Sequence, residues 1–111
     1  MDIKQGNIFL ANLNPAQGHE QAGFRPVLIM QNNILNQYLS TVIIAPITAN
    51  LAAQGKLTTH LLPSDLSGLD HDSVLLIHQL RTIDKQRLEK KIARLSPNEF
   101  QKIKRKLDFI F

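Results

Sequence analysis

No cysteine occurs among the 111 residues, which excludes disulfides, zinc–thiolate centres and thiol nucleophiles and makes a reducing cytoplasm the expected compartment. No apolar run approaches the ~18 residues of a membrane span. Met1-Asp2-Ile3-Lys4-Gln5-Gly6 places no apolar core behind a basic end, so neither a signal peptide nor membrane attachment is expected. The four histidines, at 19, 60, 71 and 78, lack the spacing of a zinc site, which leaves metal binding through histidine only formally open; no cofactor is expected. Repeats, low-complexity tracts and linkers are missing too. With 43% apolar residues, residues 1–111 are expected to fold as one domain around one core.

Charge is unevenly spread. Residues 1–80 hold three basic and five acidic side chains, a net of −2, whereas residues 81–111 hold ten basic and four acidic, a net of +6. A polyanion such as RNA, or an acidic partner segment, is drawn to that end of the chain, although a merely solvated basic face has the same composition.

What is present is a series of short β-type segments. Residues 7–13 are apolar and end at Asn14-Pro15, which predicts a buried strand running into a turn. A glycine-bearing polar loop occupies 14–24. Residues 25–31 predict a second strand with Pro26 near its start, where a missing N–H donor is tolerated. Residues 32–40 are polar and turn-rich, with one helical turn suggested by Ile34, Leu35 and Tyr38. The β-branched stretch 41–48 predicts a strand covered on both faces that carries Thr48 to its end.

Residues 55–62 predict a half-exposed strand. Residues 73–77 predict a central strand that runs on through 83, with His78 and Leu80 on one face and Gln79 and Arg81 on the other. Leu88, Ile92 and Leu95 leave residues 89–95 open between helix and strand. Ser96-Pro97-Asn98-Glu99 forms a capping box with proline at the first helical position. Phe100, Ile103, Leu107 and Ile110 then give one apolar helical stripe that should pack against the sheet. The fold class is therefore mainly β with a C-terminal helix (α+β), a small, strongly bent antiparallel sheet or partly open barrel.

The stretch richest in chemistry is residues 18–30, where a polar loop holding His19 and Glu20 meets an apolar strand at Arg25. Glu20 is expected to orient Arg25 by a salt bridge. Gln79 and Arg81 either contact a ligand or tie strand to loop. His60 is expected to hold a hydrogen-bonded structural place, and His71 to lie in a loop.

Gly6-Asn7-Ile8 with Leu13-Asn14-Pro15, Gly18-His19-Glu20-Gln21-Ala22-Gly23-Phe24-Arg25-Pro26, Ala45-Pro46-Ile47-Thr48, Thr59-His60, Asp72-Ser73-Val74 and Gln79-Leu80-Arg81-Thr82-Ile83-Asp84, as an ordered set, resemble the MazF/PemK family of toxin endoribonucleases from about residue 5 to the end of the chain. The resemblance implies an SH3-like barrel, a homodimer, and metal-independent, sequence-selective cleavage of single-stranded RNA. It also implies a cognate antitoxin whose acidic, extended segment covers the RNA groove, with operator DNA reached only through that antitoxin.

By the same resemblance Arg25 and Thr48 take the catalytic positions, with His19, Glu20, Phe24, His78, Gln79 and Arg81 binding RNA or supporting the site. Cleavage without a metal most simply uses the neighbouring 2′-hydroxyl, which needs a base, a donor for the leaving oxygen and positive charge on the phosphoryl oxygens. A guanidinium that stays protonated suits the last role better than the first. His19, Glu20 and His78 remain open as the base. His78 stands where the family commonly has an acid, and Phe24 replaces a common basic residue with a surface on which a base can stack. Two other classes stay open: a nucleic-acid-binding module without cleavage, and a gyrase-directed toxin on a related barrel. For dimerisation, Leu10, Ile34, Leu35, Tyr38, Phe109 and Phe111 are the apolar candidates.

Overall fold

The computed structural model describes residues 2–15, 17–55 and 57–111. In chain order these form β1 (Asn7–Asn12), β2 (Phe24–Ile29), α1 (Asn33–Tyr38), β3 (Thr41–Thr48), β4 (Thr59–Leu62), α2 (Ser64–Ser67), β5 (Ser73–Leu76), β6 (Arg81–Asp84), β7 (Leu88–Arg94) and α3 (Pro97–Ile110). Short 3₁₀ turns cover Leu51–Ala53, Ile77–Gln79 and Lys85–Arg87. The strands join as one bent antiparallel sheet in the order β4-β5-β3-β2-β1-β7, with β6 also on β3, and it does not close on itself. No helix among the described residues is long and apolar enough to cross a membrane.

The organising strand is β3. One edge pairs with β2 through Ile44↔Ile29, Ala45↔Leu28 and Pro46↔Val27. Its other edge pairs first with β6, up to Ile44↔Arg81, and then with β5, from Ile47↔Leu75. Pro46, which has no N–H to give a ladder, stands at that change of partner. Three steps along β3 correspond to six along the partner chain, and the three extra residues are the 3₁₀ turn Ile77–Gln79. The uninterrupted strand expected over 73–83 is therefore broken, and the alternation of His78 and Leu80 against Gln79 and Arg81 does not hold.

The predicted fourth strand is shorter than its sequence suggests, beginning at Thr59 rather than at residue 55. The open segment is a strand. β7 pairs with β1 through two register shifts, and the bulges give Leu88, Ile92 and Leu95 a spacing that reads as helical.

Two buried groups of side chains lie on opposite faces of the sheet. Phe9, Ala11, Val27, Ile29, Val42, Ile44, Ile83 and Leu88 fill one. Ile8, Leu28, Ala45, Ile47, Leu62, Leu75 and Ile77 fill the other, closed over by Phe100 and Ile103 of α3 with Leu107 and Ile110 packed against them. The predicted helical stripe is thus the contact face of α3.

The N-cap forms as expected, with the Glu99 N–H donating to Ser96 Oγ at 3.2 Å. The reciprocal half of the capping box does not. The Glu99 carboxylate turns inward, 3.3 Å from His60 Nε2 and 3.0 Å from Lys102 Nζ, while Lys106 Nζ donates to the Thr59 carbonyl at 3.0 Å. These contacts tie α3 to β4. Burial lowers the pKa of His60 from its ordinary 6.5, aided by Lys106 and Lys102 and opposed by Glu99. The Lys102 hydrogen bond leads in lowering Glu99 from 4.5, opposed by burial.

Both shifts act in one direction on stability. The unfolded chain takes up protons at His60 and at Glu99 before the folded chain does, so acidification favours unfolding. Their stabilising contribution is present above pH 6.5 and is expected to fall first through the histidine range and again below 4.5. Thermal unfolding followed across pH should show this fall, and His60→Gln should remove its upper part; an identical profile in the variant excludes the assignment.

Candidate active site

The loop joining β1 to β2 is a tied structure. The Leu13 N–H donates to the Gly23 carbonyl and the Gly23 N–H to Asn14 Oδ1, both at 2.9 Å. Gly23 has φ +79°, a left-handed conformation that glycine adopts without steric cost. Glu20 Oε1 accepts from the Gln17 N–H at 2.7 Å, and the Glu20 N–H donates to the Gln17 carbonyl at 3.1 Å.

Glu20 therefore folds the loop on itself and does not orient Arg25 as expected. Arg25 Nε donates instead to the Ala22 carbonyl at 2.9 Å, and among the described residues Arg25 forms no ion pair. Its guanidinium charge stays uncompensated at the end of β2, which favours an anionic ligand.

Register brings the sheet-borne candidates onto one face. Ala11 pairs with Arg25, Val27 with Pro46 and Ile44 with Arg81. Continued two residues, the β2–β3 register sets Arg25 opposite Thr48, and alternation along β3 puts Thr48 on the same side as Ile44 and hence Arg81. Thr48 is buried. Its Oγ1 accepts from the Asn50 N–H at 3.1 Å, which leaves the hydroxyl hydrogen for another acceptor.

The 3₁₀ turn completes the arrangement. A cleft of about 190 Å³ is lined by Glu20, Gln21, Pro46, His78, Gln79, Leu80 and Arg81. An adjoining one of about 270 Å³ takes in Gln21, Thr48, Asn50, Thr59, His78 and Gln79. Because the turn replaces strand alternation, His78 and Gln79 line both. His78 Nδ1 lies 3.4 Å from the Thr58 carbonyl; with the proton on Nδ1 as donor, Nε2 carries a free lone pair.

Arg25 lines a different cleft of about 260 Å³ with Pro26, Ile47, Leu69, Asp70, His71, Ser73 and Ile92. The two catalytic candidates are thus joined through register rather than through one shared cavity.

The supporting residues divide between ligand-facing and loop-holding positions. Gln79 Oε1 accepts from the Gln21 N–H at 3.1 Å, and its Nε2 points to the His19 carbonyl at 3.5 Å. Arg81 Nη1 donates to the Leu13 carbonyl at 3.4 Å, so Arg81 ties strand to loop, whereas Gln79 reaches the loop from the 3₁₀ turn. His19 is exposed, and Phe24 is 61% exposed, paired with Asn12 and outside these clefts. Sequence reasoning missed Gln21 and Asn50, which line the clefts, and Arg87, which bonds the loop root. Asn50 two residues beyond Thr48 was the one local signal, an Asx-type turn former.

The fold is thus an SH3-like sheet with an arginine on β2 that forms no ion pair among the described residues and a buried threonine on β3, each lining its own cleft. A profile described as "PemK-like, MazF-like toxin of type II toxin-antitoxin system" matches residues 4–111, and the chain belongs to that family. It is 44% identical over 104 residues to Endoribonuclease EndoA of Bacillus subtilis, covering 93% of this chain and 89% of that protein. It is 41% identical over 107 residues to Endoribonuclease MazF of Staphylococcus saprophyticus, covering 96% and 88%.

Among solved structures, MazF from Deinococcus radiodurans matches with a TM-score of 0.82 at 25% identity, covering 97% of this chain and 94% of that one. A MazE–MazF structure from the same organism matches at 0.76 and 26% identity over 97% and 94%.

Proposed function

We propose that this toxin is an endoribonuclease that cuts single-stranded RNA, mRNA included, across the Arg25–Thr48 register by attack of the neighbouring 2′-hydroxyl, forming a 2′,3′-cyclic phosphate and a free 5′-hydroxyl. The observation that supports the reading is that Arg25, without an ion pair among the described residues, and Thr48 each lie two residues beyond the Val27↔Pro46 pair of adjacent strands, with their side chains in separate clefts. Arg25 stabilises the charge that builds on the phosphoryl oxygens, and Thr48 donates a hydrogen bond to one of them. His78 Nε2 takes the 2′-OH proton, and the departing 5′-oxygen gains one from water. His78 is preferred to His19 and Glu20 because it lines the same cleft as Thr48 and because the Glu20 carboxylate is already engaged by the loop.

Gln79, Arg81 and the exposed Phe24 then bind RNA on either side, Phe24 by stacking. The whole chain acts as one cytoplasmic domain, without metal or cofactor, in a homodimer that an antitoxin with an acidic segment restrains. Ile34 and Tyr38, at 70% and 77% exposure, offer apolar surface for the second copy.

The direct test incubates the purified protein with mixed-sequence single-stranded RNA in EDTA and maps the ends. The expected result is cleavage at a restricted set of sites with cyclic phosphate on the upstream product; RNA left intact in every sequence context rejects the reading. For the base, His78→Glu should move the acidic limb of the pH–rate curve to lower pH, since a carboxylate deprotonates below an imidazole. An unmoved limb rules His78 out of that role.

A further inference from the structure

Arg87 sits in the 3₁₀ turn Lys85–Arg87, more than sixty residues along the chain from the β1–β2 loop. Its side chain nevertheless reaches the root of that loop. Nη1 donates to the Asn14 carbonyl in a short contact and points to the Asn12 carbonyl at 3.4 Å. From Asn14 a continuous path leads to Arg25. Asn14 Oδ1 accepts the Gly23 N–H at 2.9 Å, the Gly23 carbonyl accepts the Leu13 N–H at 2.9 Å, and Ala22, adjoining Gly23, gives its carbonyl to Arg25 Nε at 2.9 Å.

The contacts of Arg87 go to backbone carbonyls, and it lines none of the three clefts beside Arg25, Thr48 and His78. Both contacts come from one nitrogen, Nη1, whose two N–H bonds are held in the guanidinium plane, whereas a lysine ammonium donates without that directional constraint.

We propose that Arg87 is the positioning residue for Arg25: it fixes the loop root at Asn12 and Asn14, and the loop in turn fixes the guanidinium that faces the scissile phosphate. The proposal rests on the assignment of Arg25 given above. Arg81 holds the neighbouring Leu13 carbonyl, but it also lines a ligand-facing cleft, so Arg87 is the cleaner probe. Misplacement of a reacting group by an ångström costs on the order of 10²-fold in rate, and partial release of the loop is expected to cost about tenfold.

The test compares Arg87→Gln, Arg87→Lys, Arg25→Lys and the double variant Arg25→Lys/Arg87→Gln by single-turnover cleavage of one RNA, with thermal unfolding alongside. Arg87→Gln is expected to lower the cleavage step about tenfold, with RNA affinity changed by less than about twofold. Arg87→Lys, which keeps a donor and the charge, is expected to recover part of the loss. The double variant is expected to be no slower than Arg25→Lys, because Arg87 acts only through Arg25.

Multiplicative losses in the double variant overturn the proposal. So does a loss confined to affinity, which marks Arg87 as a direct RNA contact, and so does full activity in Arg87→Gln. Should Arg25→Lys itself cut at the parental rate, the assignment of Arg25 fails, a result separate from any loss caused by Arg87.

Discussion

Arg25→Ala is expected to lower the cleavage rate by roughly 10²–10³-fold, about 3–4 kcal/mol of transition-state stabilisation, while leaving thermal unfolding close to that of the parent protein. The size follows from what the side chain does and does not do in the structure. It is half-buried at the end of β2, makes one hydrogen bond to the Ala22 carbonyl and has no ion pair among the described residues. Little folding energy is therefore tied up in it. Its charge has no ion-pair partner among the described residues, and a charge that grows on the phosphoryl oxygens during reaction gains most from a fixed cation. Cleavage in EDTA by the variant at the parental rate, with circular dichroism confirming the fold, excludes Arg25 from the chemistry.

The second large effect concerns the fold itself. Ile103 is wholly buried where α3 closes over Ile8, Leu28, Leu75 and Ile77. Ile103→Ala is expected to cost about 2–5 kcal/mol, the loss of transfer energy plus the cavity left behind, against a total stability on the order of 5–15 kcal/mol for a domain of this kind. Denaturant unfolding should show the midpoint displaced at unchanged slope. α3 also packs against the Ile77–Gln79 turn, which carries His78 and Gln79. Cleavage by the variant should consequently fall at temperatures where the parent is still fully active, and recover on cooling. An unfolding free energy within about 0.5 kcal/mol of the parent value, the range of an ordinary surface change, rejects Ile103 as the anchor of α3.

Much of this architecture was legible because local chemistry and tertiary role agree. The β-branched run 41–48 is a strand as expected, covered on both faces only from Ile44 onward because Ile43 is exposed, and Ser96-Pro97 begins a helix whose stripe of Phe100, Ile103, Leu107 and Ile110 faces a core. Where the reading failed, a distant partner had overruled the local preference. Nothing in Ile77-His78-Gln79 announces a 3₁₀ turn; the interruption arises because β3 spends its edge on two partners in offset registers. Glu99 had the right spacing to complete a capping box, yet a buried histidine 39 residues upstream claims its carboxylate. Bulges set by β1 left the spacing of β7 open between helix and strand.

The candidate site divides in the same way. Arg25 and Thr48 are candidates through an ordered set of motifs. The partner of Glu20 and the reach of Arg87 depend on loop geometry that no spacing encodes.

The pairing of β1 with β7 has a consequence in time. Of the described strands β1 is made first, but its outer neighbour, Leu88–Arg94, is synthesised last, and Gln79, Arg81 and Arg87, which hold the β1–β2 loop, also emerge late. Closing contacts of such long sequence separation makes folding slow relative to local structure. On the ribosome, therefore, Arg25 and Thr48 exist as residues well before the sheet that carries them is complete. The interval between translation and toxicity is written into the order of the strands.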